Sequence, residues 1–185
     1  MPQPWPYRTD VRIVVVFLNG TSRRTGVAVR FGVTGHQILP PRIVDRAVEH
    51  WRRVLPVGTH LYGVSNLAEG ADQLFAAHVV ASGGVLEAIL PCADYARSLV
   101  TDDGRARLER LRRAAATVLT LPFPQPCDEA FLAAGQVLVD RCDHLFAVWD
   151  GRPGRGMGGT ADVVAYARAR GRPVTVLWVE GVVRV

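Results

Sequence analysis

The chain has 185 residues, 49% of them hydrophobic, which is enough for one well-filled domain and short for two. Its formal net charge of +5 rests on arginine alone, since the sequence contains no lysine, and the arginines are scattered rather than gathered into the single basic face of a DNA-binding surface. No apolar run approaches the ~20 residues of a membrane span, and Cys92, Cys127 and Cys142 lack metal or redox spacing, so a membrane protein, a zinc site and a disulfide scaffold are excluded and a reduced, cytoplasmic setting is expected.

Residues 1–26 form an extension in which 12–18 is apolar enough for an added edge strand, followed by the turn signal Asn19-Gly20. Asp10 before that run and Arg23-Arg24 after it argue against a secretory signal. From residue 27 the pattern becomes regular. A strand over 27–33 ends in Thr34-Gly35-His36, and Pro40-Pro41 opens a helix whose apolar residues recur at helical spacing up to Pro56. A second strand, 59–64, leads through the loop 65–70 into a helix over 71–82, stopped by Gly83-Gly84. A third strand spans 85–90 and Pro91 ends it. After a polar stretch come a helix over 105–116, a strand over 117–121, a helix over 128–141 and a strand over 144–149. The run from Gly151 to Gly159 is rich in glycine, a helix follows over 160–170, and the last strand is 174–179, with 180–185 a tail.

Six short apolar strands alternating with helices predict an α/β, Rossmann-like, three-layer fold with a mainly parallel sheet. Right-handed crossovers then bring every strand-to-helix loop to one end of that sheet, where ligands bind at the point of strand-order reversal. Three loops would converge there, carrying Gly35 and His36, Ser65 to Gly70, and Asp150 to Thr160.

At the third loop, Gly158 and Gly159 let backbone approach an anion, Thr160 is a candidate N-cap and Asp162 lies in the first turn, where free N–H groups and the helix dipole favour negative charge. His36 is either a donor to phosphate or a solvated loop histidine. Glu69 either takes ribose hydroxyls, acts as a general base or is simply exposed. Asp150 either bonds ribose hydroxyls or serves the turn before Gly151. Asp72 reads as the cap of its helix and Ser65 as a local backbone ligand, with a binding role kept open for Ser65 and Gly70. His50, His60, His78 and His144 show no ligand spacing and read as structural, while Trp149 falls at a strand end near the site. The chain has no G-x-S-x-G, no H-E-x-x-H, no P-loop lysine and no dinucleotide fingerprint after its first strand.

The stretch from Val64 to His78, V-S-N-L-A-E-G-A-D-Q-L-F-A-A-H, resembles the second-loop motif S-G-x-A-x-G-I-D of the DNA-processing protein DprA. Gly158-Gly159-Thr160 is similar to the P-G-G-x-G-T-x-x-E signature of the LOG and lysine-decarboxylase-like proteins, and G-V-T-G-H at Gly32 to His36 is similar to the first loop of YpsA-like proteins. These groups make up the SLOG superfamily of Rossmann-like nucleotide-binding domains, and the resemblance runs over residues 27–179. It implies a nucleotide or nucleotide-derived ligand, no bound cofactor and a homodimer. LOG enzymes cleave the N-glycosidic bond of nucleoside monophosphates with the signature's glutamate. Val163 stands at that position here, so a hydrolase would have to use Glu69 or Asp162 with His36 assisting. The DprA loop is commonly basic before its glycine, whereas Glu69 would repel a DNA backbone, which demotes single-stranded DNA binding. The reading is a nucleotide-binding or sensing module, with the hydrolase and the DNA binder as alternatives.

Overall fold

The computed structural model describes residues 29–154 and 156–184. The strand expected over 12–18 lies outside the described residues. In chain order the elements are β1 (Arg30–Gly35), α1 (Pro41–Val54), β2 (Tyr62–Ser65), α2 (Ala71–Ala81), β3 (Val85–Leu90), α3 (Asp102–Ala114), β4 (Thr117–Thr120), α4 (Asp128–Arg141), β5 (His144–Val148), α5 (Thr160–Ala169) and β6 (Val174–Val176). Short 3₁₀ turns, Gly58–His60 and Tyr95–Ser98, precede β2 and follow β3.

The six strands form one sheet in the order β4-β3-β2-β1-β5-β6, and every pairing is parallel. Parallel pairing needs a crossover between neighbours, and right-handed crossovers fix the layers. The chain moves one way from β1 to β4 and the other way from β5 to β6. This puts α1, α2 and α3 on one face and α4 and α5 on the other. The strand order reverses between β1 and β5, the two strands with the longest shared register, from Phe31 opposite His144 to Gly35 opposite Val148.

Alternation along the strands feeds the two layers. Phe146 and Val148 join the core under α1 and α2 with Trp51, Phe75 and Leu86, while Leu145 and Ala147 join the core under α4 and α5 with Leu138, Val139 and Val164. The inner strands are buried on both faces, which is why they read as unbroken apolar runs; the edge strand β4 is largely exposed. In α1, Ile43, Ala47 and Trp51 recur every four residues and are fully buried, with arginines on the outer face. Full burial of a side chain such as Ile43 contributes about 1.5–3 kcal/mol.

One charged cluster sits inside this frame. Glu87 in β3 is 2% exposed and is ion-paired to Arg30 of β1 and Arg141 at the end of α4. A carboxylate buried to that degree is tolerable only because two guanidiniums neutralise it.

Several boundaries depart from the sequence reading: β1 runs on to Gly35, the 3₁₀ turn Gly58–His60 takes the start of the strand expected over 59–64, and β6 ends at Val176 rather than 179. Two further departures have a clear local cause. Helix α3 starts at Asp102, not at residue 105, because the Thr101 hydroxyl accepts the Gly104 N–H and so caps the helix across a glycine that reads as a breaker. The N-cap of α5 is Gly159 rather than Thr160: the Gly159 carbonyl already accepts the Asp162 and Val163 N–H groups, which places Thr160 inside the helix.

Candidate functional site at the strand-order reversal

The loops after β1, β2 and β5 meet at the carboxyl end of the sheet, around a cavity of about 550 Å³. That volume lies in the range of ligand pockets. Its walls include Gly35 and His36 from the first loop, Asn66, Glu69 and Asp72 from the second, and Trp149 and Gly158 to Ala161 from the third. Tyr95, Phe131 of α4 and Arg184 complete it.

Backbone hydrogen bonds hold the first two loops together. The His36 N–H donates to the Val148 carbonyl at 3.1 Å, and the His36 carbonyl accepts the Ala71 N–H at 3.1 Å. This tight junction explains Gly70, whose φ of 79° belongs to the left-handed region and at which a Cβ would run into the carbonyl oxygens of His36 and Gln37. Gly70 is therefore required by the packing of two loops, and it is not part of the cavity wall.

The His36 ring is 8% exposed, with Nε2 3.0 Å from Asp150 Oδ1 and the edge of the ring against Trp178. The Asp150 N–H also donates to Nε2 at 3.3 Å, so Asp150 holds the ring through both its backbone and its carboxylate. Burial lowers the pKa of His36 more than the hydrogen bond and charge of Asp150 raise it, so the ring is neutral at pH 7. For Asp150, burial works upward, but the Arg152 amide and His36 outweigh it and hold the carboxyl below the usual range. Its Oδ2 is buried without a hydrogen-bond partner.

Glu69 lines the cavity, yet its oxygens accept the Val100 N–H at 2.8 Å, the Thr101 N–H at 3.1 Å and the Thr101 hydroxyl. Burial raises its pKa, and those three donors outweigh that, so it stays ionised. It ties the second loop to the start of α3. Ser65 is fully buried: its hydroxyl donates to the Asp72 carbonyl and accepts the Leu67 N–H, which braces Leu67 at a φ of 59°. Asp162 is likewise engaged, accepting the Gly158 N–H at 2.8 Å. Gly158 sits against α4, where a Cβ would lie 2.6 Å from the Leu132 nitrogen.

Of the residues singled out from the sequence, the structure thus brings Gly35, His36, Glu69, Gly158, Gly159 and Thr160 to the cavity wall. Asp150 stands directly behind His36, and Ser65, Gly70 and Asp162 support the loops.

No protein-family model matches the chain, and no curated protein does. Solved structures do. DNA processing protein A from Helicobacter pylori, described for its single-stranded DNA binding mode, is similar over 80% of this chain and 65% of its own, with a TM-score of 0.59 and 15% identity. DNA processing protein A from Streptococcus pneumoniae gives the same TM-score at 17% identity, over 80% of this chain and 50% of its own. The molybdenum cofactor binding protein of Rippkaea orientalis is similar at a TM-score of 0.50 and 17% identity, over 80% of this chain and 75% of its own. The fold is Rossmann-like. The chain spans about two-thirds and one-half of the two DNA processing proteins. Among the described residues no helix is long and apolar enough to cross a membrane, and no group of three or more His, Cys, Asp or Glu side chains is arranged to hold a metal ion.

Sequence reasoning missed part of the wall. Asp72 was expected only to cap α2; instead its carboxylate reaches back to the Asn66 N–H at 3.2 Å while lining the cavity, and it is 5% exposed. An acid in the first turn of α2 reads as a cap whether or not it lines a cavity, so the sequence carries no separate signal for this role. Arg184, in the segment read as a tail, stands beside His36 and Asp150. No local pattern reveals that, because it depends on the path of the chain after β6.

Proposed function

We propose that this chain is a SLOG-type module that binds a nucleotide or nucleotide-derived small molecule in the cavity at the carboxyl end of its sheet. The observation that carries the reading is where the cavity lies. It is at the reversal between β1 and β5, and the first turn of α5 with its glycine loop forms one wall. The phosphate goes to Gly159, Thr160 and Ala161, where N–H groups at a helix start have no helical acceptor. Gly159 suits that role, since a Cβ there would make only ordinary contacts and the residue packs against no other helix. Arg184 supplies the cation that a lysine-free chain must draw from arginine. Phe131, Ile38 and Met157 offer apolar surface for a base.

His36 with Asp150 behind it is the pair we assign to ligand contact. Glu69 and Asp162, the acids a LOG-like hydrolase would need, are engaged with backbone N–H groups, so binding without turnover is favoured over N-glycosidic hydrolysis. Glu69 on the wall also disfavours a DNA backbone. A homodimer is the assembly expected from the SLOG resemblance.

A thermal-shift panel of nucleoside monophosphates, NAD, ADP-ribose and a short DNA strand tests the proposal. A ligand at ~100 times its Kd stabilises by ~2.7 kcal/mol, which moves Tm by several degrees. The expected result is a shift with one nucleotide class, abolished in Gly159→Asp while the unliganded Tm is kept. A response to DNA alone, or release of free base from a monophosphate, would replace the proposal with one of its alternatives.

A further inference from the structure

Asp72 occupies an unusual position for a carboxyl group. It lies in the first turn of α2, is 5% exposed, and forms part of the cavity wall. No arginine is ion-paired to it among the described residues, in contrast to Glu87, which has two. What it receives is N–H groups of its own loop, from Asn66 and Ala68. Its acidic neighbour Glu69 is held ionised by Val100 and Thr101. A buried carboxylate with no ion pair, in a cavity that takes a phosphate, would be opposed both by its burial and by the charge of the ligand.

Resting on the nucleotide-binding reading above, we propose that Asp72 meets the ligand as a neutral carboxylic acid. It donates a hydrogen bond to an acceptor on the ligand's sugar or base, so that a phosphate-bearing ligand and one proton enter the cavity together. No bond is made or broken: the proton comes from solvent, resides on the Asp72 carboxyl in the complex, and returns when the ligand leaves.

Burial lifts the Asp72 carboxyl to about 7, the two loop amides pulling the other way. The unliganded protein therefore holds a mixture of both forms near neutrality, and an anionic ligand selects the protonated one. The other charged or titratable groups on the wall do not share this behaviour. His36 is pushed below 6.5 and is neutral above that pH. Glu69 is already ionised, and burial sends the Tyr95 hydroxyl well above 10. Arg184 is the remaining charged group on the wall, and the residues contributed by α4 and α5 carry no charge.

The test uses ADP-ribose and NAD as probes, whose diphosphate diesters do not titrate between pH 6.5 and 9. Isothermal calorimetry gives Kd over that range, and repeating the pH 8 titration in two buffers of different ionisation enthalpy counts the protons taken up. The expected result is affinity that falls about tenfold from pH 8 to pH 9, with close to one proton bound at pH 8, and a flat profile in Asp72→Asn. Proton uptake in the unmutated protein stands even where the variant folds poorly. Binding that is independent of pH, or a slope that survives in a folded Asp72→Asn, overturns the role of Asp72 and leaves the cavity assignment standing. Failure of both probes at every pH, together with no thermal shift from any nucleoside monophosphate, overturns the cavity assignment and this inference with it. A shift with a monophosphate alone moves the same calorimetry to that ligand above pH 8, where its phosphate is fully ionised, and a flat profile there overturns the role of Asp72.

Discussion

His36 and Asp150 face each other at 3.0 Å across the seam between β1 and β5, each at the end of its own strand. The bond joins two loops that share no sequence neighbourhood. Replacing Asp150 by Asn removes the negative charge that partly offsets burial, so the His36 midpoint, already below 6.5, is expected to move lower still. A proton NMR titration of the imidazole reads this directly; an unchanged or raised midpoint refutes the account. The sign for stability follows. A histidine whose folded pKa is depressed stabilises above the unfolded value of 6.5, and that contribution is lost as pH falls below it.

Asp72 has the opposite dependence. Its folded pKa of about 7 exceeds the unfolded 3.8, so its contribution is complete below pH 3.8 and is lost as pH rises through 7. Asp72→Asn keeps the shape and the acceptor without the charge. The variant is expected to gain Tm relative to the parent at pH 8 compared with pH 5, by an amount worth roughly 2 kcal/mol or more. Equal differences in Tm at the two values would show that the carboxyl ionises without cost.

Two glycines of the site differ in kind. Gly70→Ala forces a Cβ into two carbonyl oxygens at a positive φ, and a loss of roughly 3 kcal/mol or outright failure to fold is expected. Gly159→Ala meets nothing closer than 3.5 Å at a φ of −75°, and should stay within about 1 kcal/mol of the parent in urea unfolding.

Glu87→Ala removes the anion between two arginines. Two partly buried guanidiniums then lose their partner, and a cost of about 2–3 kcal/mol, below that of a fully buried pair, is expected from chemical denaturation. A change below about 1 kcal/mol would mean that both arginines swing out to solvent.

The sheet was legible because its strands are short, apolar and punctuated: Gly83-Gly84 and Pro91 bracket β3, and its bounds, 85–90, agree with the sequence reading. The same holds for α4, bounded by Pro126 and Cys142. The start of α3 was not legible, since Thr101-Asp102-Asp103-Gly104 has the composition of a loop and becomes a helix start only through the Thr101 cap. At the site, the glycine positions were visible while their reasons were not. Gly70 answers to the His36 carbonyl, and Glu69 to Thr101, partners more than 30 residues away in each case. Spacing reveals which loops converge; which oxygen in those loops is free is decided by contacts between them.

The bonds from Glu69 to Thr101 also restrict the order in which this region can change by mutation. A side chain at position 104 would collide with the Glu69 carboxylate, so alanine there would push that carboxylate off its bonds to Val100 and Thr101. Once Glu69 is shortened, Gly104→Ala becomes acceptable and even favours α3, by about 0.5–1 kcal/mol of helix propensity. The cost of alanine at 104 therefore depends on what stands at 69, and the two positions are coupled.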